Sequence, residues 1–200
     1  MAGVADGWGA VVLAGGAARR LGGVDKPLLP VAGAPMLARV LAAVADASPR
    51  IVVGPPLLRP TLPPDALLTS EDPPGGGPVA ATAAGLALVG PGTPYVALLA
   101  ADLPFLVPEA VALLRLATMA STVDGAVFVD DAGRRQLLCG VWRVASLRSR
   151  LGELPQLAGA PLHSLVQGLA VAEVGWPAVE PRPWYDCDTE TDLRRARELG

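Results

Sequence analysis

The chain is a succession of short apolar runs cut by glycine and proline, and strand-like and helix-like periodicities alternate along it. Residues 8–14 (WGAVVLA) are apolar throughout and lead into Gly15-Gly16, the pattern of a strand buried on both faces that feeds a glycine-rich loop. The loop continues to about Ala34. Pro35 then stands at a helix start, and Met36, Leu37, Val40, Leu41 and Val44 recur at helical spacing. Residues 51–53 and 67–69 read as two further strands, and residues 71–77 (EDPPGGG) as a loop that opens a helix at about Pro78. Residues 95–101 (YVALLAA) predict a fourth buried strand that ends at Asp102. Residues 108–118 are helical in pattern, and 125–129 and 136–142 are strands joined through the turn Asp130-Asp131-Ala132-Gly133. Residues 171–176 are a last strand candidate. Thr189 with Asp192 three positions on forms a capping box that opens a C-terminal helix.

Strands alternating with helices predict an α/β fold, a Rossmann-like, doubly wound and mostly parallel sheet. In such sheets ligands bind outside the carboxyl ends of the strands. Three places therefore matter: the loop after the first strand, Asp102 after the fourth, and the stretch from Asp186 to Asp188.

Composition narrows the chemistry. The chain has 200 residues, 52% of them hydrophobic, enough for a sizeable core within one domain over 1–200. Its formal net charge is −3, so no general basic footprint for nucleic acid or an anionic membrane exists, and an anionic ligand must be gripped locally. The longest mostly apolar stretch, residues 79–89, is far shorter than the roughly 20 residues of a spanning helix. Asp6 and the lack of a positively charged opening argue against a secretory signal, which makes the cytoplasm the expected compartment. With two cysteines and one histidine, a disulfide framework, a four-ligand zinc site and histidine catalysis are all disfavoured. Cys139 and Cys187 read as core filler; Cys187 is expected to point away from its flanking aspartates by strand alternation. His163 reads as a surface or packing residue. Among the 16 basic residues Lys26 is the sole lysine. An ammonium is a compact point charge with rotatable donors, whereas a guanidinium is a wide planar fork, so the exception calls for a reason.

Lys26 closes the most informative stretch, residues 13–26 (LAGGAARRLGGVDK). Glycines allow close backbone approach and offer N–H groups, and two arginines with the lysine supply positive charge, as in a polyphosphate cradle. It is no Walker loop, since no Gly-Lys-Ser/Thr follows, and it lacks the Gly-x-Gly-x-x-Gly spacing of a dinucleotide fold. Asp102, leaving a buried strand, needs compensation that a hard cation such as Mg²⁺ provides; a helix cap or turn role is the structural alternative. Asp188 could instead support the capping box.

The stretch resembles the Leu-Ala-Gly-Gly-x-x-x-Arg-x-Gly-x-x-Asp-Lys signature of nucleotidyltransferases, most closely the molybdenum cofactor (molybdopterin) guanylyltransferases. Glu71-Asp72 with Gly77-Pro78-Val79-Ala80, the strand end Leu99 to Pro104, and Asp186 to Leu193 extend the resemblance over nearly the whole chain. It implies a fold of the nucleotide-diphospho-sugar transferase type. It also implies Mg²⁺-dependent transfer of GMP from GTP to the phosphate of molybdopterin, with release of pyrophosphate. Leu13, Ala14, Gly15 and Gly16 would contact the nucleotide through their backbone, Asp72 would touch the nucleoside, and Gly54 would belong to the same nucleotide-binding set. Lys26 and Arg20 would neutralise phosphates. Asp102 would bind both nucleotide and metal, and Asp188, or else Asp186, would complete the metal site. A molybdoenzyme or cofactor-insertion protein would be the downstream partner. The chain departs from the family pattern at Gly54, where relatives often carry Asn, and at Gly77-Pro78-Val79-Ala80-Ala81, where Gly-Pro-Leu-Ala-Gly is usual. These departures bear on the base more than on nucleotidyl transfer, and three alternatives stay open: cytidylyl transfer to molybdopterin, guanylyl transfer to another small phosphorylated metabolite, and a non-catalytic nucleotide or cofactor carrier.

Overall fold

The apolar run at residues 8–13 becomes β1 (Trp8–Leu13), every residue of which is buried. It is continuous because helices cover both of its faces. Trp8, Ala10 and Val12 pack with Leu37, Val40 and Leu114 on one side, while Val11 and Leu13 pack with Val79, Leu86, Leu147 and Leu165 on the other. Full burial of a Val or Leu side chain contributes about 1.5–3 kcal/mol, so the two layers fix the register of the strand as well as its existence. The computed structural model describes residues 7–15, 20–21, 24–120 and 122–200.

Beyond β1 the main sheet contains β2 (Arg50–Val53), β3 (Ala66–Thr69), β4 (Tyr95–Ala100), β5 (Gly125–Val129), β6 (Arg135–Arg143) and β7 (Val171–Val174), in the spatial order β7-β5-β6-β4-β1-β2-β3. β1 pairs in parallel with β2 and β4, β2 with β3, and β7 with β5; β6 alone runs antiparallel to both its neighbours. The reversal follows from the short connection. Asp130 Oδ1 accepts the N–H groups of Ala132 and Arg134, both at 2.9 Å, and this tight turn admits only an antiparallel return.

α1 (Met36–Ala43) and α3 (Pro108–Met119) lie on one face, and α2 (Gly77–Ala87), α4 (Val144–Glu153) and α5 (Leu162–Val166) on the other. α2 sits so close to the sheet that a Cβ on Gly85 would fall 2.4 Å from Val11 Cγ1; only glycine fits there. α6 (Glu190–Leu199) opens on the expected capping box: Asp192 N–H donates to Thr189 Oγ1 at 3.1 Å and Thr189 N–H to Asp192 Oδ2 at 2.8 Å. Leu193 and Ala196 of α6 pack on Leu29, Val31, Met36 and Phe105, which draws the end of the chain onto the loop after β1.

Two expectations change. Cys187 is buried as foreseen, but in a non-strand segment where it packs with Met36 and Leu193, so strand alternation is not the reason. α4 and α5 were not foreshadowed by the pattern, and the loop after β1 holds a turn of 3₁₀ helix over Lys26–Leu28 and two-residue strands at Arg20–Leu21, Val24–Asp25, Pro30–Val31 and Ala34–Pro35. Among the described residues no helix is long and apolar enough to cross a membrane.

Candidate active site

β1 to β3 extend the sheet in one direction, and β4 is laid on the opposite side of β1. At this reversal, beyond the carboxyl ends of β1 and β4, lies a cavity of about 610 Å³. Leu13, Ala14 and Gly15 enter it from β1, Ala100 to Leu103 from β4, and Gly77, Pro78 and Ala81 from the first turns of α2. α2 carries no acidic residue in its first turn, so the positive end of its dipole is left for a ligand. The loop before it requires glycine at Gly75 and Gly77, whose φ angles are 81° and 86°. Glu71, buried to 6% exposure, accepts the Gly75 N–H at 3.0 Å through Oε1 and thereby shapes this wall.

Lys26 is 6% exposed, an unusual place for an ammonium. Its Nζ forms ion pairs with Asp102 Oδ2 and, at 2.6 Å, with Asp188 Oδ1. Burial opposes its charge, but the hydrogen bonds and charges of Asp102 and then Asp188 outweigh burial and raise its pKa above the ordinary lysine value. Asp186 lines the same cavity without pairing to Lys26; burial first, then the charges of Asp188 and Asp102, raise its pKa. Of the two aspartates flanking Cys187, Asp188 is thus the one in the cluster. Cys139 and Cys187 are buried thiols pushed up to about 12, Cys139 by burial and Cys187 by burial and then the Asp102 charge. Neither suits nucleophilic work.

Among the described residues no group of three or more His, Cys, Asp or Glu forms a ready metal cage. The donor set nonetheless fits Mg²⁺, which is commonly held by one or two carboxylates together with substrate phosphates and waters. Asp102 and Asp188 already converge on one cation, the Lys26 ammonium.

The structure brings Leu13, Ala14, Gly15, Lys26, Asp102 and Asp188 to one cavity. It does not bring Gly54 or Asp72. Gly54 follows β2, donates its N–H to Thr69 O at 2.9 Å, and lies where a Cβ would meet Leu58 Cδ1 at 2.9 Å and Ala14 Cβ at 3.2 Å; it packs behind the cavity wall. Asp72 is exposed, and its neighbour Glu71 is the carboxylate that reaches the cavity. Gly16 lies outside the described residues, as does the side chain of Arg20. Glu71, Gln136, Leu138 and Trp184 also line the cavity, as do Pro27 and Cys139; none of the first four is given a site role by the sequence reading, although Glu71 stands in one of its motifs. For Glu71 the signal was its place in the strand-end loop; for the others it was absent, since only the sheet order brings them there.

The family model of the MobA-like NTP transferase domain matches residues 10–174. The chain belongs to this family. It is a nucleotidyltransferase by that membership. A molybdenum cofactor guanylyltransferase from Bradyrhizobium sp. (strain ORS 278) is 34% identical over 200 residues, covering 95% of this chain and 92% of the relative. Among solved structures, molybdopterin-guanine dinucleotide biosynthesis protein A from Archaeoglobus fulgidus superposes with a TM-score of 0.74 at 21% identity, covering 95% of this chain and 97% of that one. The 2-C-methyl-D-erythritol 4-phosphate cytidylyltransferase from Thermus thermophilus does so with a TM-score of 0.67 at 22% identity, covering 96% and 98%. One fold thus accompanies different bases and acceptors, so the site carries the argument about substrate.

Proposed function

We propose that this MobA-like NTP transferase, acting as one domain over 1–200, transfers GMP from GTP to the terminal phosphate of molybdopterin and releases pyrophosphate, a cytoplasmic step in making the guanine dinucleotide cofactor. The observation that carries the reading is the buried Lys26 paired with Asp102 and Asp188 beside the glycine-lined carboxyl end of β1. Guanylyl rather than cytidylyl transfer is favoured by the 34% identity to the Bradyrhizobium guanylyltransferase over most of both chains.

An oxygen of the acceptor phosphate attacks the α-phosphorus of GTP. A new P–O bond forms, the bond between the α-phosphorus and the oxygen bridging to the β-phosphorus breaks, and pyrophosphate leaves with that electron pair. The attacking phosphate is already anionic, so no general base is needed, in keeping with a site without histidine. The protein's work is positioning and neutralisation. The backbone of Leu13, Ala14 and Gly15 lies against the nucleotide, the N-terminal turn of α2 faces its phosphates, and Lys26 offsets the charge that moves toward the leaving group. Lys26 is a compact donor able to turn from carboxylate to phosphate, which a rigid guanidinium fork does less well. Asp102 and Asp188 would hold Mg²⁺, which on binding supplies further neutralisation of the triphosphate.

The test is pyrophosphate release from GTP, CTP and ATP, with and without molybdopterin, in Mg²⁺ and in EDTA. Release from GTP alone, dependent on molybdopterin and Mg²⁺, is the expected result. Equal release from CTP would overturn the base assignment. Tight GTP binding with no release under any condition would replace the enzyme by a carrier.

A further inference from the structure

The carboxylates that fit Mg²⁺ are the same two that hold the Lys26 ammonium. Nζ is in contact with Asp102 Oδ2 and, at 2.6 Å, with Asp188 Oδ1. Mg²⁺ binds carboxylate oxygens at about 2.0–2.1 Å and demands a near-ideal octahedron of ligands. With Nζ against both carboxylates, a divalent ion would share them with a positive charge at close range, and the two cations repel. One charge of the pair is already offset by the ammonium. Among the described residues no third carboxylate, thiol or imidazole completes a cage that could outbid it.

The ammonium can leave without movement of the chain. The backbone of Lys26 is fixed in the 3₁₀ turn Lys26–Leu28, where its carbonyl accepts the Leu29 N–H at 3.1 Å and Pro27 follows it. Its side chain is a four-carbon stem with a rotatable donor at the end, and it lines the cavity that β1 and α2 also line. A triphosphate in that cavity carries more negative charge than the two carboxylates and spreads it over several oxygens, so Nζ exchanges one anion for another by rotation about its own bonds. A guanidinium would grip both carboxylates with several N–H groups at once and release them less readily. That difference accounts for a lysine here in a chain that otherwise uses arginine.

We propose that Lys26 is an internal cation that keeps divalent metal off Asp102 and Asp188 until a nucleoside triphosphate draws its ammonium away, so that metal and nucleotide enter the site only together. This rests on the reading of Asp102 and Asp188 as the metal ligands of a nucleotidyltransferase. The coupling is reciprocal: nucleotide tightens metal binding by the same factor by which metal tightens nucleotide binding.

Equilibrium dialysis against Mn²⁺, an oxygen-seeking octahedral ion like Mg²⁺, tests it, first without nucleotide and then with the α,β-methylene analogue of GTP, whose bridging carbon blocks turnover. Wild type should hold Mn²⁺ weakly alone and about one ion per chain with the analogue. Lys26→Met should bind Mn²⁺ without the analogue at least about tenfold more tightly than wild type. Lys26→Gln, neutral but still a hydrogen-bond donor, should do the same and carries the test if Lys26→Met does not fold. Lys26→Arg keeps the charge and should bind no better than wild type. Asp102→Asn added to Lys26→Met should remove the gained affinity. A purely structural role for Lys26 would lower the stability of the neutral variants and move none of these affinities. Equal nucleotide-free affinity in wild type and the neutral variants overturns the proposal, as does a gain in Lys26→Arg equal to theirs. In either case, Mn²⁺ retained by wild type with the analogue leaves the reading of the metal site standing. Should wild type hold no Mn²⁺ even with the analogue, both fail.

Discussion

Lys26→Met removes the ammonium while keeping most of the apolar stem, and so isolates the charge that holds Asp102 and Asp188 together. Breaking a buried ion pair by deleting one partner costs about 3–5 kcal/mol, whereas an exposed pair is worth about 0–1 kcal/mol. Here the Asp102 side chain is 16% exposed and that of Asp188 is 65% exposed. The loss should therefore sit mainly on Asp102, at about 2–3 kcal/mol, between the two limits. For a chain of this size each kcal/mol moves Tm by roughly 2–4 °C, so a fall of about 4–12 °C is expected. The assay is urea unfolding of wild type, Lys26→Met, Asp102→Asn and the double variant, in EDTA so that no divalent cation substitutes for the ammonium. The double variant should recover much of the loss, with a coupling of about 2 kcal/mol. A coupling below about 0.5 kcal/mol would refute the claim that Lys26 and Asp102 stabilise each other across the site. Lys26→Met should also lower kcat/KM by at least about 10²-fold, the usual cost of losing a preorganised positive group.

Three further outcomes are expected. Gly85→Ala should destabilise by about 1–3 kcal/mol in urea unfolding, because its methyl group would overlap Val11 and push α2 off the sheet, with little change in the KM for either substrate. Cys139 and Cys187, buried and pushed up to about 12, should both resist a thiol reagent at neutral pH in the folded protein and react once it is unfolded in urea. Removing divalent cations with EDTA should abolish product formation while leaving the far-UV circular dichroism unchanged, and added Mg²⁺ should restore turnover.

What the sequence makes legible is local. β1 and β4 announce themselves as unbroken apolar runs because both faces of each are covered, and the capping box of α6 is complete within four residues. Lys26 and Asp102 stand out by their surroundings: the first is the sole lysine of the chain, and the second is a carboxylate set between apolar residues just beyond a buried strand. α5 is five residues long, too short to leave a period, and α4 interleaves its apolar positions with arginine and serine. Gly54 was expected beside the nucleotide, yet the close approach of Leu58 and Ala14 makes it a packing glycine. Gln136 and Trp184 reach the cavity only because β6 is inserted antiparallel between β4 and β5, and the last segment folds back over it. No nearby residue carries that information.

The bond between Lys26 and Asp188 joins positions 162 residues apart. The cavity is thus closed by two stretches from opposite parts of the sequence: the loop after β1 brings Lys26, and the segment before α6 brings Trp184, Asp186 and Asp188. Any change that loosens the docking of α6 on Leu29, Val31 and Met36 reaches the Lys26 cluster through that segment.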